Sequence, residues 1–567
     1  MSEMSYWRLN ILIVGIVIVA AIIISRLFYV QVLNHKLYEA QALGQQIGFQ
    51  EIVGNRGEIF SANSKENRGV YGSSEVKSLA LNAPVWTLYA MPDKITDKEN
   101  FAKIIGEKTK QSKESVLSKI QGTDSYVSLA KNIPNQEVES LKQLDIEGLD
   151  FERSWTRYYP QGHLASQIIG FLGGDNNGQY GIEGYYEDIL KGKRGITERK
   201  RGLDIINSSN DQESLDGSSL YLTLDYNIQF EAESLLQEAK KNIDIDSGQI
   251  IVLKPASGRI LALANFPSFN VNEYSKESNF GVFQNSVIQK IFEPGSVFKP
   301  FTMAMALQEG KITPETTFTD AGFVKIGPDT LYNFDKKNYG EQDMSGILEK
   351  SINTGAVFLS QKVSHTTFFN YVDRLGFNAK TGIDLQGEVS SRNSVLKNAS
   401  DFVFATSSFG QGIEMTPMQL ARAFGVFANG GKLAKPYIVE KIVHDMDEST
   451  TKPQISDQII SEKVASQVTK MLINVVDRGF GSAAKIDGYY LAGKTGTAEV
   501  PYENKKGYYP NKTVQSFIGF GPALNPQFVI LVKLDNPKVP KSSLSAAPIF
   551  RKLAQYIIDY WQIPPDY

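Results

Sequence analysis

Hydrophobic positions are distributed unevenly along the chain. Residues 9–25 carry no charge and residues 11–24 are apolar throughout, with Arg8 and Arg26 on either side. As a helix this uncharged run covers roughly 25 Å, close to the thickness of a hydrocarbon layer, and residues 27–33 can prolong it into the interface. A core helix would carry a polar face and a cleaved leader would end in a small-x-small site, so the pattern predicts an uncleaved single-span anchor. Beyond it, within a polar and mixed stretch from about 40 to 217, residues 85–89 read as a strand and residues 100–119 as a helical pattern. Residues 200–219, KRGLDIINSSNDQESLDGSS, hold little to bury and read as a surface connection. Further on, residues 220–224 alternate like a strand. Residues 249–253 and 260–264 flank the turn sequence Pro255-Ala256-Ser257-Gly258 and predict a hairpin. Residues 517–520 and 528–534 read as further strands, and Ile549, Phe550, Leu553, Ile557 and Tyr560 recur at helical spacing.

The pattern divides the chain into a short tail with an anchor (1–34), an irregular amino-terminal module (35–217) and a larger region with a sheet packed against helices (218–567). The fold class is α+β. At 567 residues the chain is long enough for several folding units. Its 59 Lys+Arg against 62 Asp+Glu leave a formal charge of -3, without the basic excess that neutralises a nucleic-acid backbone. Hydrophobic residues make up 42% and charged residues 21%, which excludes a mainly disordered protein. Cysteine is absent and histidine numbers four, so thiolate chemistry and Cys-zinc sites are excluded. The chemistry falls to oxygen nucleophiles, carboxylates and amines.

Three short runs offer those groups. Phe292-Glu293-Pro294-Gly295-Ser296-Val297-Phe298-Lys299 opens a helical pattern that runs to about Glu309, with Gly310 suited to its carboxyl end. Ser296 and Lys299 then share a helical face, and a desolvated, neutral lysine can take the serine proton. The same Ser-x-x-Lys spacing recurs from Ser74, Ser128, Ser394 and Ser449, so alone it decides nothing. Ser351-Ile352-Asn353 falls where an amphipathic helix is expected to end at Thr354-Gly355, and offers a hydroxyl for proton transfer and an amide for a substrate backbone. Lys494-Thr495-Gly496-Thr497 follows an apolar run and is expected on a strand edge, where an extended peptide can pair while the cation and hydroxyls bind a carboxylate. Lys380-Thr381-Gly382 repeats part of that run in a different context.

In this order the three runs match the motif set of penicillin-binding proteins and class A β-lactamases. The chain as a whole resembles a class B penicillin-binding protein, a membrane-anchored peptidoglycan D,D-transpeptidase. The likeness extends to residues 26–32 beside the anchor, to Asn55-Arg56-Gly57-Glu58-Ile59, to Arg157-Tyr158-Tyr159-Pro160 and to Gly181-Ile182-Glu183. It continues through Leu222-Thr223-Leu224-Asp225 with Gln229, Gly376-Phe377 with Thr381-Gly382-Ile383, and Gly410-Gln411-Gly412. Phe60-Ser61-Ala62-Asn63 departs from the Asp-Arg-x-Gly usual at that point in the family.

The resemblance implies a serine acyltransferase domain, an antiparallel sheet with helices, carried on an elongated pedestal or dimerisation-type module. It implies that Ser296 attacks a D-Ala-D-Ala carbonyl of a stem peptide and that an amine acceptor resolves the ester. Lys299 is then the base, Ser351 a proton relay and Lys494 its tuning partner. Asn353 positions the donor, Thr495, Gly496 and Thr497 hold its tail, and the Ser296 and Thr497 N–H groups form the oxyanion hole. No cofactor or metal is implied. Implied partners are stem peptides, β-lactams, the membrane and a SEDS-family glycan polymerase of the cell-wall complex. The implied location is the bacterial cytoplasmic membrane, single-pass, with the catalytic body outside. A septal role is favoured over elongation. The weaker alternatives are a β-lactamase, a D,D-carboxypeptidase and a β-lactam-sensing receptor.

Overall fold

The structure, a computed structural model, describes residues 3–29, 49–62, 76–122, 124–198, 216–502 and 507–567. The chain divides into two compact units, Met1–Gly57 with Ile189–Ser218, and Glu58–Asp188 with Ser219–Tyr567. In the first unit a helix runs Glu3–Phe28, and its described apolar side chains, among them Ile16, Ile22 and Ile24, are exposed. Among the described residues no helix is long and apolar enough to cross a membrane. An antiparallel ladder in the same unit pairs Phe49–Val53 with Arg194–Glu198. The polar run at 200–219 lies outside the described residues apart from 216–219, and so do residues 30–32 of the motif beside the anchor.

The second unit contains two large sheets. One follows the order Asp447–Thr450, Val439–His444, Ser219–Leu222, Ile59–Phe60, Ser78–Ala90, Val127–Ile133, with Leu149–Tyr158 also paired to Ser78–Ala90. The strand expected near 220 therefore joins segments from both sides of residue 217. It runs parallel to Ile59–Phe60 and antiparallel to Val439–His444. The helical pattern expected over 100–119 is broken into two helices, Lys98–Thr109 and Lys113–Ile120. Lys110 at φ 55° ends the first, and the Ser112 hydroxyl caps the second by accepting the Ser115 N–H. The periodicity runs across the break because both helices bury apolar residues, Phe101, Ile105, Val116 and Ile120, in one core.

Arg157 and Glu183, two of the family landmarks, form a buried ion pair: Arg157 Nε lies 2.7 Å from Glu183 Oε1, with 3% and 0% of the side chains exposed. The Tyr159 hydroxyl donates to the same oxygen at 3.3 Å. A desolvated carboxylate needs such partners, since losing one leaves a buried charge uncompensated at about 3–5 kcal/mol.

The second sheet positions the candidate site. Its order is Ile260–Phe266, Ser247–Leu253, Phe528–Asp535, Tyr508–Gly521, Ala492–Pro501, every neighbour antiparallel. The expected hairpin and the two expected later strands are all present. Consecutive residues Ile250, Ile251, Val252 and Leu253 are all buried, so both faces are covered. Ile228, Leu235 and Leu236 of the helix Tyr226–Ile243 and Phe550, Leu553 and Ile557 of the helix Ala546–Trp561 pack with Ile250, Val252, Ile530 and Val532. Elsewhere in the sheet, Phe520 meets Phe424 of the helix Pro417–Ala428, and Phe424 in turn meets Phe301 of the helix Lys299–Gln308. Asp225 caps the helix Tyr226–Ile243 by accepting from Asn227 and Ile228 N–H. Gln229 then ties it to the sheet, accepting from Leu263 N–H and donating to Leu263 O.

Candidate active site

Ser296 lies in one turn of 3-10 helix, Gly295–Phe298, that leads into the helix Lys299–Gln308. The Lys299 N–H donates to the Ser296 carbonyl. Side chains three apart eclipse in 3-10 geometry, so this turn aims Ser296 and Lys299 to one side more directly than the α-helical spacing expected. Ser296 is half-buried and Lys299 fully buried. Of the other Ser-x-x-Lys runs, those from Ser128, Ser394 and Ser449 end in exposed lysines, Lys131, Lys397 and Lys452, and that from Ser482 ends in the part-exposed Lys485. Ser74 lies outside the described residues. A solvated lysine stays protonated at neutral pH, so burial separates the Ser296 pair from these copies where spacing could not.

A helix does end beside Ser351 and Asn353, but ahead of Ser351 and not at Thr354-Gly355. The helix Met344–Glu349 stops before Ser351, and the helix Asn353–Gln361 starts at Asn353. Thr354-Gly355 was expected to be a stop signal and is instead the buried first turn of the second helix. A Cβ at Gly355 would lie 2.8 Å from Ile347 Cγ1, so the small residue serves the close packing of the two helices. Ser351 links them at φ 54°, a left-handed conformation that costs a residue with a Cβ about 1–3 kcal/mol.

Lys299 Nζ lies 2.5 Å from Ser351 O, 3.2 Å from Ser351 Oγ and 2.7 Å from Asn353 Oδ1. Lys494, fully buried on the strand Ala492–Pro501, places its Nζ 2.9 Å from the same Ser351 Oγ and 3.0 Å from Thr495 O. Burial, and then the neighbouring Lys494 charge, hold the Lys299 amine well below the usual lysine range. Burial draws Lys494 down to about 7. No carboxylate is hydrogen-bonded to either amine among the described residues. One hydroxyl thus stands between two amines that ionise far below their normal pKa. A hydroxyl can donate one proton and accept another, so Ser351 can carry a proton between them.

The strand Ala492–Pro501 is the sheet edge, with Tyr508–Gly521 on its paired side. A Cβ at Gly496 would lie 2.8 Å from Val297 Cγ1 and 3.1 Å from Pro294 O, so the strand closes on the Ser296 turn only with glycine there. Thr495 is buried, while Thr497 is half-buried with its Oγ1 3.4 Å from Ser542 Oγ. The copy at Lys380-Thr381-Gly382 lies in an irregular segment and not on a strand: Thr381 N–H and Gly382 N–H donate to buried Glu388 at 2.7 and 3.0 Å.

The Ser296 turn is seated from behind by Gly410, whose carbonyl accepts the Gly295 N–H at 3.0 Å. Gly410 has φ 87°, and a Cβ on it would lie 2.1 Å from Gly295 O. Gly410→Ala is expected to destabilise the protein by about 3 kcal/mol, since the strained backbone and the clash both act. Denaturant unfolding of the variant measures this, and a midpoint equal to that of the parent chain contradicts the seating role.

Sequence reasoning missed the buried polar residues Asp320 and Asn333, which lie in the segment leading to Ser351 and are bonded to Thr354 and Asn353. Nothing in a run of Asp, Asn, Lys and Gly distinguishes them from solvated loop residues.

Comparison with known proteins gives the family of the chain. The family described as "Penicillin binding protein transpeptidase domain" matches residues 248–555, and "Penicillin-binding Protein dimerisation domain" matches residues 51–222. The stage V sporulation protein D of Bacillus subtilis is 31% identical over 549 residues, covering 94% of this chain and 82% of that protein. The peptidoglycan D,D-transpeptidase FtsI of Buchnera aphidicola is 31% identical over 585 residues, covering 99% and 96%. A crystal structure of penicillin binding protein 3 from Mycobacterium tuberculosis complexed with aztreonam superposes with a TM-score of 0.70 at 24% identity, over 91% of this chain and 98% of that one.

Proposed function

The chain belongs to the penicillin-binding transpeptidase family, and from that premise we propose that it is a serine D,D-transpeptidase that cross-links peptidoglycan stem peptides and is acylated by β-lactams. The observation that carries this reading is the Ser351 hydroxyl shared by two buried lysines, Lys494 and Lys299, of which Lys299 follows Ser296 by one helical turn. A neutral Lys299 takes the Ser296 proton as the oxygen attacks the donor carbonyl. The Ser351 hydroxyl passes a proton to the departing D-Ala amine and is replenished from Lys494. The donor peptide lies along the open edge of Ala492–Pro501 with its terminal carboxylate at Thr495 and Thr497, and Asn353 faces its backbone. The N–H groups of Ser296 and Thr497 stabilise the oxyanion, each donor contributing about 3 kcal/mol to the barrier. An acceptor amine then reverses the sequence and takes the acyl group.

In this reading residues 1–34 tether the chain, residues 35–217 form the pedestal module and residues 218–567 carry the reaction. The uncharged run at 9–25 is a single-pass anchor, and the catalytic body lies outside the cytoplasmic membrane, where the wall substrate is. A SEDS-family polymerase supplies the glycan, and the role is septal. A tagged chain should accumulate at midcell, and sidewall fluorescence would shift the role to elongation. The reaction itself is tested with a fluorescent penicillin and a stem pentapeptide. Long-lived labelling, with release of D-Ala and a cross-linked product when an amine acceptor is present, is the expected result. An adduct that hydrolyses within seconds means a lactamase instead, and D-Ala release without cross-linking means a carboxypeptidase.

A further inference from the structure

The helix Asn353–Gln361 lacks a cap of its own. Its N-cap residue is Ile352, which has no side-chain acceptor, and Asn353 and Thr354 are the first residues whose N–H groups need one. Both find it twenty residues upstream. Asn333 Oδ1 accepts the Asn353 N–H at 3.0 Å and the Thr354 N–H at 3.2 Å. The other end of the Asn333 amide donates to Asp320 Oδ2 at 2.8 Å and Lys337 O at 3.0 Å. Asp320, 1% exposed, also accepts from Thr354 Oγ1 at 2.6 Å, Gly322 N–H at 2.9 Å and Tyr339 N–H at 2.8 Å. Its partners are all neutral donors among these bonds.

The same segment fixes which way the Asn353 amide points. Its Nδ2 donates to Tyr332 O at 3.1 Å, which leaves Oδ1 to accept from Lys299 Nζ at 2.7 Å. Turned over, the amide would set a donor against Lys299 and an acceptor against a carbonyl, losing both bonds. Residues 332–333 therefore decide the backbone position and the side-chain orientation of Asn353. They also constrain the strained link at Ser351, whose carbonyl and hydroxyl hold Lys299.

We propose that Asn333, braced by Asp320, is a positioning residue for the reaction: a remote cap that holds Ser351 and Asn353 against Lys299. It touches neither substrate nor the reacting atoms. This rests on the transpeptidase reading, but its test separates the two. Acylation by a β-lactam is followed in the full chain, resolving the affinity of the reversible complex from the acylation rate constant. Asn333→Ala should lower the rate constant at least tenfold and weaken the reversible affinity by less, because Asn353 shifts while the binding edge at Thr495 and Thr497 is untouched. Thr354→Val, which removes the hydroxyl that donates to Asp320 at 2.6 Å and lies 3.3 Å from Asn333 Oδ1, should lower the rate constant about threefold, and Thr354→Ser, which keeps that hydroxyl, should restore it. Denaturant unfolding of both variants shows that each is folded under the assay conditions, so that the rate difference reads positioning and not loss of folded protein. Unchanged acylation in Asn333→Ala overturns the proposal, as does Thr354→Ser falling as far as Thr354→Val. Should Asn333→Ala fail to fold, the Thr354 pair decides by itself, and a Thr354→Val rate equal to wild type overturns it. If the wild-type chain is not acylated at all, the transpeptidase reading fails instead.

Discussion

Ser296→Ala should abolish covalent labelling by a fluorescent penicillin, an effect on the order of 10⁶ in rate for a nucleophile that acts as a unit with its base. The substitution removes one oxygen from a half-buried position, so the unfolding midpoint should move by no more than about 0.5 kcal/mol. Intact mass after incubation with the antibiotic measures the first, and denaturant unfolding the second. The contrast matters because a second serine, Ser351, lies against the amines. Ser351 Oγ is bonded to both Lys299 and Lys494, and a reader of hydrogen bonds alone could nominate it as the nucleophile. It is badly placed for that role: a nucleophile needs one base and an open face, whereas this hydroxyl is occupied on two sides by amines in a strained link between helices. Ser296 is the residue that meets the sheet edge, through the packing of Val297 and Pro294 on Gly496. An adduct that persists in Ser296→Ala, and is lost on replacing Ser351, would exchange the two assignments.

How much of this could be seen in the sequence depended on whether a group's meaning is local. The three runs could be picked out because their groups are packed into three or four residues, and the structure joins Lys299, Ser351, Asn353 and Lys494 of those runs by hydrogen bonds. The strands near 250, 262, 517 and 530 were legible because apolar runs bounded by turn residues have few other ways to bury themselves. Thr354-Gly355 misled because glycine has two uses, ending a helix or letting two helices approach, and only the position of Ile347 tells which applies. Lys110 was invisible because a lysine at positive φ leaves no mark in composition. Asp320 and Asn333 were invisible for a related reason: a polar residue reads as solvated until its partners are known, and the partners that tie these two to the site, Asn353 and Thr354, lie about twenty residues or more along the chain.

Lys494→Met should make the protein inactive and more stable at once. Acylation should fall by about 10² to 10⁴, the usual share of a positioned proton-transfer group. Stability should move the other way. Burial draws the Lys494 amine down to about 7 from the 10.5 of an exposed lysine, so between those values the unfolded chain binds a proton that the folded chain does not. Unfolding is then favoured by acid, and the stability of the wild-type chain rises with pH across that window as the unfolded amine gives up its proton. Below about pH 7 the penalty is present in full; above pH 10.5 it is gone. Methionine fills a similar volume without a charge to desolvate, so the variant should gain on the order of 2 kcal/mol at pH 7, after allowing for its lost bonds to Ser351 and Thr495. That gain should shrink steadily toward pH 10.5, where the lysine is neutral in both states. Denaturant unfolding of the two proteins at pH 7, 8.5 and 10 measures the convergence. A difference that stays constant with pH would mean that packing, not desolvation, sets the stability of the site, and that Lys494 is charged in the folded protein. A Lys494 that keeps its proton throughout could still polarise Ser351, but it could not hand that hydroxyl the proton that replaces the one given to the leaving amine.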